Sequence, residues 1–152
     1  MKNIIKISLF SILAVFVMTA CEKDDRWKDF QEFSTTSSVS GRYIVKENGF
    51  QGEWGPYSIS LYNTSFDPNA VWIENIYGDG IKVKASVSGN AFSAVKSENK
   101  GNKPGTYATV SINNGTVNNG VISFVAVIYK PDGTTLDSLT INGKLFNGFD
   151  HE

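Results

Sequence analysis

The chain has 152 residues, enough for one domain of ordinary size and too few for two. Its 41% hydrophobic, 12% aromatic and 19% charged composition is a globular balance, which excludes a disordered or collagen-like chain. Fourteen Lys and Arg against 15 Asp and Glu supply no basic excess for a nucleic-acid backbone, and one Cys with one His excludes an internal disulfide and any multi-cysteine or multi-histidine metal site.

Residues 1–20 read as a secretory signal peptide: Lys2 and Lys6 form a basic head, Ile7 to Met18 an almost unbroken apolar run, and small residues follow. The run is shorter than the roughly 20 residues of a membrane-spanning helix. Thr19-Ala20-Cys21 resembles a lipobox, which implies cleavage before Cys21 and acylation of its thiol and new amine; the alternative is a small residue at an ordinary cleavage site. Several acyl chains anchor a protein far more durably than one. Cleavage removes two lysines and leaves 12 basic against 15 acidic residues, a net charge of −3. Glu22-Lys23-Asp24-Asp25 then resembles the acidic export signal of Bacteroidetes lipoproteins, which implies the outer membrane and exposure at the cell surface. A solvated tether is the alternative.

Residues 21–38 form this tether and a short helix, with Asp25 as its cap and Trp27, Phe30 and Phe33 along one face. Ser34 to Ser38 is a polar hinge, and beyond it the hydrophobic period changes from three to two. Residues 39–152 therefore read as strands. Tyr43 and Val45 begin them. Tyr57, Ile59 and Leu61 alternate with Ser58, Ser60 and Tyr62, and Val71 and Ile73 alternate with Trp72 and Glu74. Ile81 to Ser88 gives the cleanest alternation, and Phe92 to Val95, Tyr107 to Ile112, Val121 to Tyr129 and Leu136 to Phe146 complete the set. Val121 to Tyr129 is apolar on both faces, which predicts the most buried strand, or one facing a lumen and a helix together.

Turn chemistry separates these runs at Gly89-Asn90, Lys103-Pro104-Gly105, Asn113-Asn114-Gly115, Asn118-Asn119-Gly120 and Pro131-Asp132-Gly133. The two Asn-Asn-Gly triplets predict two turns flanking a very short strand. About eight strands at about 14 residues per strand and turn describe a meandering antiparallel sheet. Closing it removes the two open edges, so the predicted fold is all-β: an up-and-down eight-stranded barrel of lipocalin or streptavidin type. Such a barrel is filled by side chains or holds one small ligand.

Ser40-Gly41-Arg42-Tyr43, Gly55-Pro56-Tyr57 with Leu61-Tyr62-Asn63-Thr64, and Val71-Trp72-Ile73 with Ile81-Lys82-Val83-Lys84 resemble the Bacteroidetes lipocalin-like family described as lipid-binding putative hydrolases. The closing Gly143-Lys144-Leu145-Phe146-Asn147-Gly148-Phe149 is similar to that family's ending, with Lys144-Leu145 where the family carries a His-Arg pair. Gly41-x-Tyr43 also looks like the lipocalin Gly-x-Trp signature, which implies that Tyr43 closes the barrel floor. The resemblance implies a lipid-like ligand and, by its description alone, a hydrolase.

The residues give hydrolysis little support. His151 is penultimate, no Gly-x-Ser-x-Gly elbow occurs, and Glu53, Asp67, Asp79, Asp132 and Asp137 lie in or beside turns, where acids serve backbone hydrogen bonding. Glu74 is the mid-strand exception. The ligand-binding candidates are Tyr43, Trp54, Tyr57, Tyr62, Trp72, Glu74 and Tyr77; rings from Trp54 to Tyr77, with Phe66, surround two turns expected to share one end of the barrel. Core packing is the competing explanation of those rings. The expected function is non-catalytic binding of a small apolar or amphipathic ligand, with no cofactor and no metal. Docking on another envelope protein, or hydrolysis, are the alternatives.

Overall fold

A computed structural model describes residues 38–148. The signal peptide, Cys21, the acidic tether, the expected short helix and His151 lie outside the described residues. Eight strands follow one another: β1 (Gly41–Gly49), β2 (Gly52–Thr64), β3 (Asp67–Ile76), β4 (Ile81–Ser88), β5 (Ala91–Glu98), β6 (Thr109–Asn118), β7 (Val121–Tyr129) and β8 (Thr135–Leu145). Each pairs antiparallel with the next, and β1 pairs with β8 from Tyr43↔Leu145 to Asn48↔Thr140. The result is a closed up-and-down barrel. Among the described residues there is no helix.

Alternation decides which side chains enter the barrel, because successive Cβ atoms of a strand point to opposite faces. Tyr43 and Val45 on β1, Ile59 and Leu61 on β2, Val71 and Ile73 on β3, and Ile81, Val83 and Ala85 on β4 are all buried. The second half continues with Phe92, Ile112, Phe124, Ile128, Leu139 and Ile141. These form one hydrophobic cluster, and the Phe92 and Phe124 rings meet edge to face at 5.4 Å. Tyr43, Val83, Phe124 and Ile128 face inward, and each is 1% exposed or less. Side chains occupy this barrel, one of the two outcomes open to eight strands.

In an up-and-down meander consecutive turns lie at opposite ends. The turns after β2, β4 and β6 therefore mark one end, and those after β1, β3, β5 and β7 mark the other. At the first end the chain enters and leaves. Val39 is fully buried there and its carbonyl accepts a hydrogen bond from the Tyr43 hydroxyl at 2.9 Å, so Tyr43 closes the floor. Backbone bonds from Leu145 N to Gly120 O (2.7 Å) and from Val117 N to Asn90 O (2.9 Å) tie the floor's turns to neighbouring strands. The opposite end is the mouth.

Three expectations change. Asn113-Asn114-Gly115 is not a turn but a bulge inside β6, where the register shifts between Asn113 and Thr116 and Asn114 has a φ of 52°. A Cβ on Gly115 would collide with Phe92 O, so the bulge needs glycine for close approach. Turns and bulges call for the same left-handed residues, and only Asn118-Asn119-Gly120 forms a hairpin turn, with φ of 49° and 75° at its last two positions. Second, β7 buries Ile122, Phe124, Ala126 and Ile128 on its inner face, while its outer residues are half-buried and Val121 is exposed. Third, the turns flanking β3 do not share one end: Phe66 sits at the floor end, 98% exposed, and Tyr77 stands at the mouth.

Candidate functional site

Two inward-facing rows end in carboxylates at the mouth. On β1 the row Tyr43, Val45 runs on to Glu47, and on β8 the row Ile141, Leu139 runs on to Asp137. Both acids are buried, Glu47 at 4% and Asp137 at 2% exposure. Register explains why they meet: Glu47 is opposite Ile141, so the turn beyond Gly49 folds against the β8 residues before it. A Cβ on Gly49 would lie 2.5 Å from Leu139 Cδ2 and 2.8 Å from Asp137 Oδ1. Only glycine lets the hairpin approach so closely.

Four donors meet the two acids. The Tyr57 hydroxyl, on β2, donates to Glu47 Oε2. Asp137 Oδ1 accepts from Phe50 N at 2.9 Å and from Ser138 N at 2.7 Å, and Oδ2 accepts from the Tyr77 hydroxyl at 3.2 Å. A bulge between Glu74 and Ile76 places Tyr77: Asn75, at a φ of 72°, is the extra residue, and Tyr77 itself has a φ of 67°. Asn75 fixes this backbone by donating from Nδ2 to Ser58 O at 2.7 Å and accepting at Oδ1 from Gly80 N at 3.1 Å. A bulky residue in the left-handed region costs conformational energy, and here it aims a phenol across the mouth.

Beside this group lies a cleft of about 250 Å³, lined by Glu47, Gly49, Trp54, Tyr77, Asp137 and Leu139 among others. Trp54 stands at its rim, 66% exposed, near Gly78 and Tyr57. On the far side of Tyr77 its ring meets Tyr107 edge-on at 5.8 Å, and the Tyr107 hydroxyl donates to Asp79 Oδ2 at 2.7 Å. Lys103 Nζ also reaches Asp79, at 2.7 Å, which fastens the long β5–β6 loop to the β3–β4 turn.

The electrostatics follow from burial. Removal from water pushes the Glu47 carboxyl above the ordinary range; the Tyr57 hydrogen bond opposes this and the neighbouring Asp137 charge adds to it. Tyr57 is pushed far up by burial and by its bond to Glu47, so it remains a donor. Tyr77 rises through burial and the Asp137 charge, and Tyr107 is pushed up to about 12 by burial and its bond to Asp79. Asp79 is held below its ordinary value by the hydrogen bond from Lys103 and then that from Tyr107.

The predicted ligand-binding residues fall into three places. Trp54, Tyr57 and Tyr77 come together at the mouth. Tyr43 is built into the floor. Tyr62, Trp72 and Glu74 lie on the outer wall, where Tyr62 donates to Glu74 Oε2 at 3.0 Å and Lys82 Nζ sits 5.3 Å from the Tyr62 ring and 5.2 Å from the Trp72 ring. Their neighbours Leu61 and Ile73 point inward, so alternation sends these three outward. Sequence reasoning misses Glu47, although it extends the inward row of Tyr43 and Val45. Asp137 reads in the sequence as a turn acid, although it occupies the inward position two residues before Leu139. Among the described residues no three His, Cys, Asp or Glu side chains converge to hold a metal ion.

A family model described as lipid-binding putative hydrolase matches residues 28–148, which covers every strand of the barrel. No curated protein matches the chain.

Proposed function

The chain belongs to the lipid-binding putative hydrolase family, and from that premise we propose that it is a lipid-anchored outer-membrane lipoprotein whose barrel mouth binds an amphipathic, lipid-like ligand without transforming it. The observation that carries the binding site is the mouth cleft: it combines an aromatic rim with buried polar groups, whereas the lumen below is packed with side chains. Its volume of about 250 Å³ sits just below the usual range for small-molecule pockets, so it suits a head group or a short apolar segment. The rest of the ligand lies along Trp54 and the exposed Phe50 of the β1–β2 hairpin. Anchoring rests on Cys21, the lone cysteine, standing where the apolar run ends, and on the acidic residues that follow it.

Native mass spectrometry of the protein with extracted envelope lipids tests the binding. One lipid per chain, weakened by Trp54→Ala, is the expected result; a stoichiometric protein partner with no lipid would replace it by a docking role. Cys21→Ser should abolish palmitate incorporation and release the protein from the membrane fraction, and protease added to intact cells should remove it if it faces outward. One observation favours hydrolysis as a second reading: Glu47 is pushed toward its protonated form while Asp137 is met by three donors, two carboxyls in different environments. Turnover of an ester or glycoside panel, lost in both Glu47→Gln and Asp137→Asn, would establish it.

A further inference from the structure

Four acids of the barrel each have a lysine partner. Glu53 pairs with Lys46 at 3.1 Å, Asp67 with Lys84 at 3.7 Å, Glu98 with Lys100 at 2.6 Å and Asp79 with Lys103 at 2.7 Å. All four pairs are partly or well exposed, where an ion pair contributes least. The two most buried acids, Glu47 and Asp137, have none: among the described residues no Lys or Arg nitrogen comes within 4.0 Å of either. Burying a carboxylate without a counter-charge is costly, and burying two side by side is more so. Their hydrogen bonds come from two phenols and two backbone N–H groups, which are neutral. Among the described residues Glu47 Oε2 takes one of these bonds and Oε1 none, while the residue lines the cleft.

From this pairing pattern we infer that the mouth cleft is a receptor for the cationic head of an amphiphile, a protonated amine or a quaternary ammonium, which supplies the counter-charge that the described residues do not. The wall chemistry agrees with an organic cation. Tyr77 and Trp54 line the cleft together with the two carboxylates, and a cation over an aromatic ring is attracted by its quadrupole. A divalent metal ion suits the cleft less, since no third ligand of the right kind converges with Glu47 and Asp137 among the described residues. The apolar tail leaves across Trp54 and Phe50 toward the rim. This inference rests on the mouth being the lipid site and adds the charge of the head group.

Calorimetric titration with four dodecyl amphiphiles below their micelle concentrations tests it: trimethylammonium, primary amine, maltoside and sulfate. The two cations should bind about tenfold or more tighter than the maltoside, and the sulfate more weakly still. Glu47→Gln should erase the preference for cations while maltoside binding persists, and Trp54→Ala, an exposed position that spares the fold, should reduce it. Asp67→Asn, which changes the net charge equally at the floor end of β3, should leave the preference intact. Equal affinity for cation and maltoside, or a preference that survives Glu47→Gln, would overturn the inference and leave lipid binding standing. Failure of all four to bind would remove the mouth as a lipid site and the inference with it.

Discussion

The two ends of the barrel close in opposite ways. At the floor, Val39 and Tyr43 seal the lumen with apolar surface, and the polar atom that must be buried there, the Tyr43 hydroxyl, is matched to a backbone carbonyl 2.9 Å away. At the mouth, the same inward rows end in Glu47 and Asp137, which burial makes costly and which phenols and backbone N–H groups satisfy only as neutral donors. The floor pairs its buried hydroxyl within the chain, whereas the mouth buries two acids with no cationic partner among the described residues. That contrast separates packing from function within one sheet.

The largest expected effect lies on the packed side of the comparison. Phe124→Ala should lower unfolding free energy by about 3–5 kcal/mol, because a filled lumen cannot collapse around the missing ring; urea denaturation measures it. A loss below about 1 kcal/mol would show that the lumen is loosely packed. Gly49→Ala comes next, at about 1–3 kcal/mol, since the added methyl must displace Leu139 or Asp137; the same variant should weaken ligand binding.

Charge distinguishes the mouth further. Asp79→Asn should cost about 1 kcal/mol near neutral pH through its bonds to Lys103 and Tyr107. Because the folded state holds the Asp79 carboxyl below its ordinary value, that contribution is present above the unfolded pKa and is lost as pH falls through the folded one; the difference between variant and parent should shrink in acid. Glu47→Gln should act with the opposite sign. Its carboxyl is raised in the folded state, so the parent loses stability as pH rises from the unfolded pKa through the folded one. The variant should therefore melt higher than the parent at neutral pH and match it in acid, the smallest effect of the four. A destabilised variant at neutral pH would place Glu47 with the packing residues instead.

Much of this fold was legible because strands in a half-buried sheet announce themselves by period two. Ile81 to Ser88 and Val121 to Tyr129 carry the same limits in sequence pattern and in structure. Asn113-Asn114-Gly115 misled because a bulge and a turn ask for the same backbone conformation, and only the pairing partner across the sheet tells them apart. The site was less legible for two reasons. Closeness in sequence groups Tyr62 and Trp72 with the mouth and a mid-strand position singles out Glu74, although parity with Leu61 and Ile73 places all three outside. Glu47, within Lys46-Glu47-Asn48-Gly49, reads as a polar turn, and its burial depends on β8, which lies some ninety residues later. Parity with Tyr43 and Val45 marks the face of Glu47, but only the pairing with β8 decides that the strand extends that far.

The β1–β8 ladder has a consequence for how the molecule comes into being. Glu47 and Asp137 stand on the first and last staves of the barrel, on either side of the seam where the sheet joins itself. No chain that ends before β8 carries both, so the acidic pair does not exist until synthesis has passed residue 137 and the circle has shut. Contacts so distant in sequence form slowly compared with hairpins. Occupancy of the mouth is therefore a readout of completed closure, and a ligand that binds there preferentially clasps the seam.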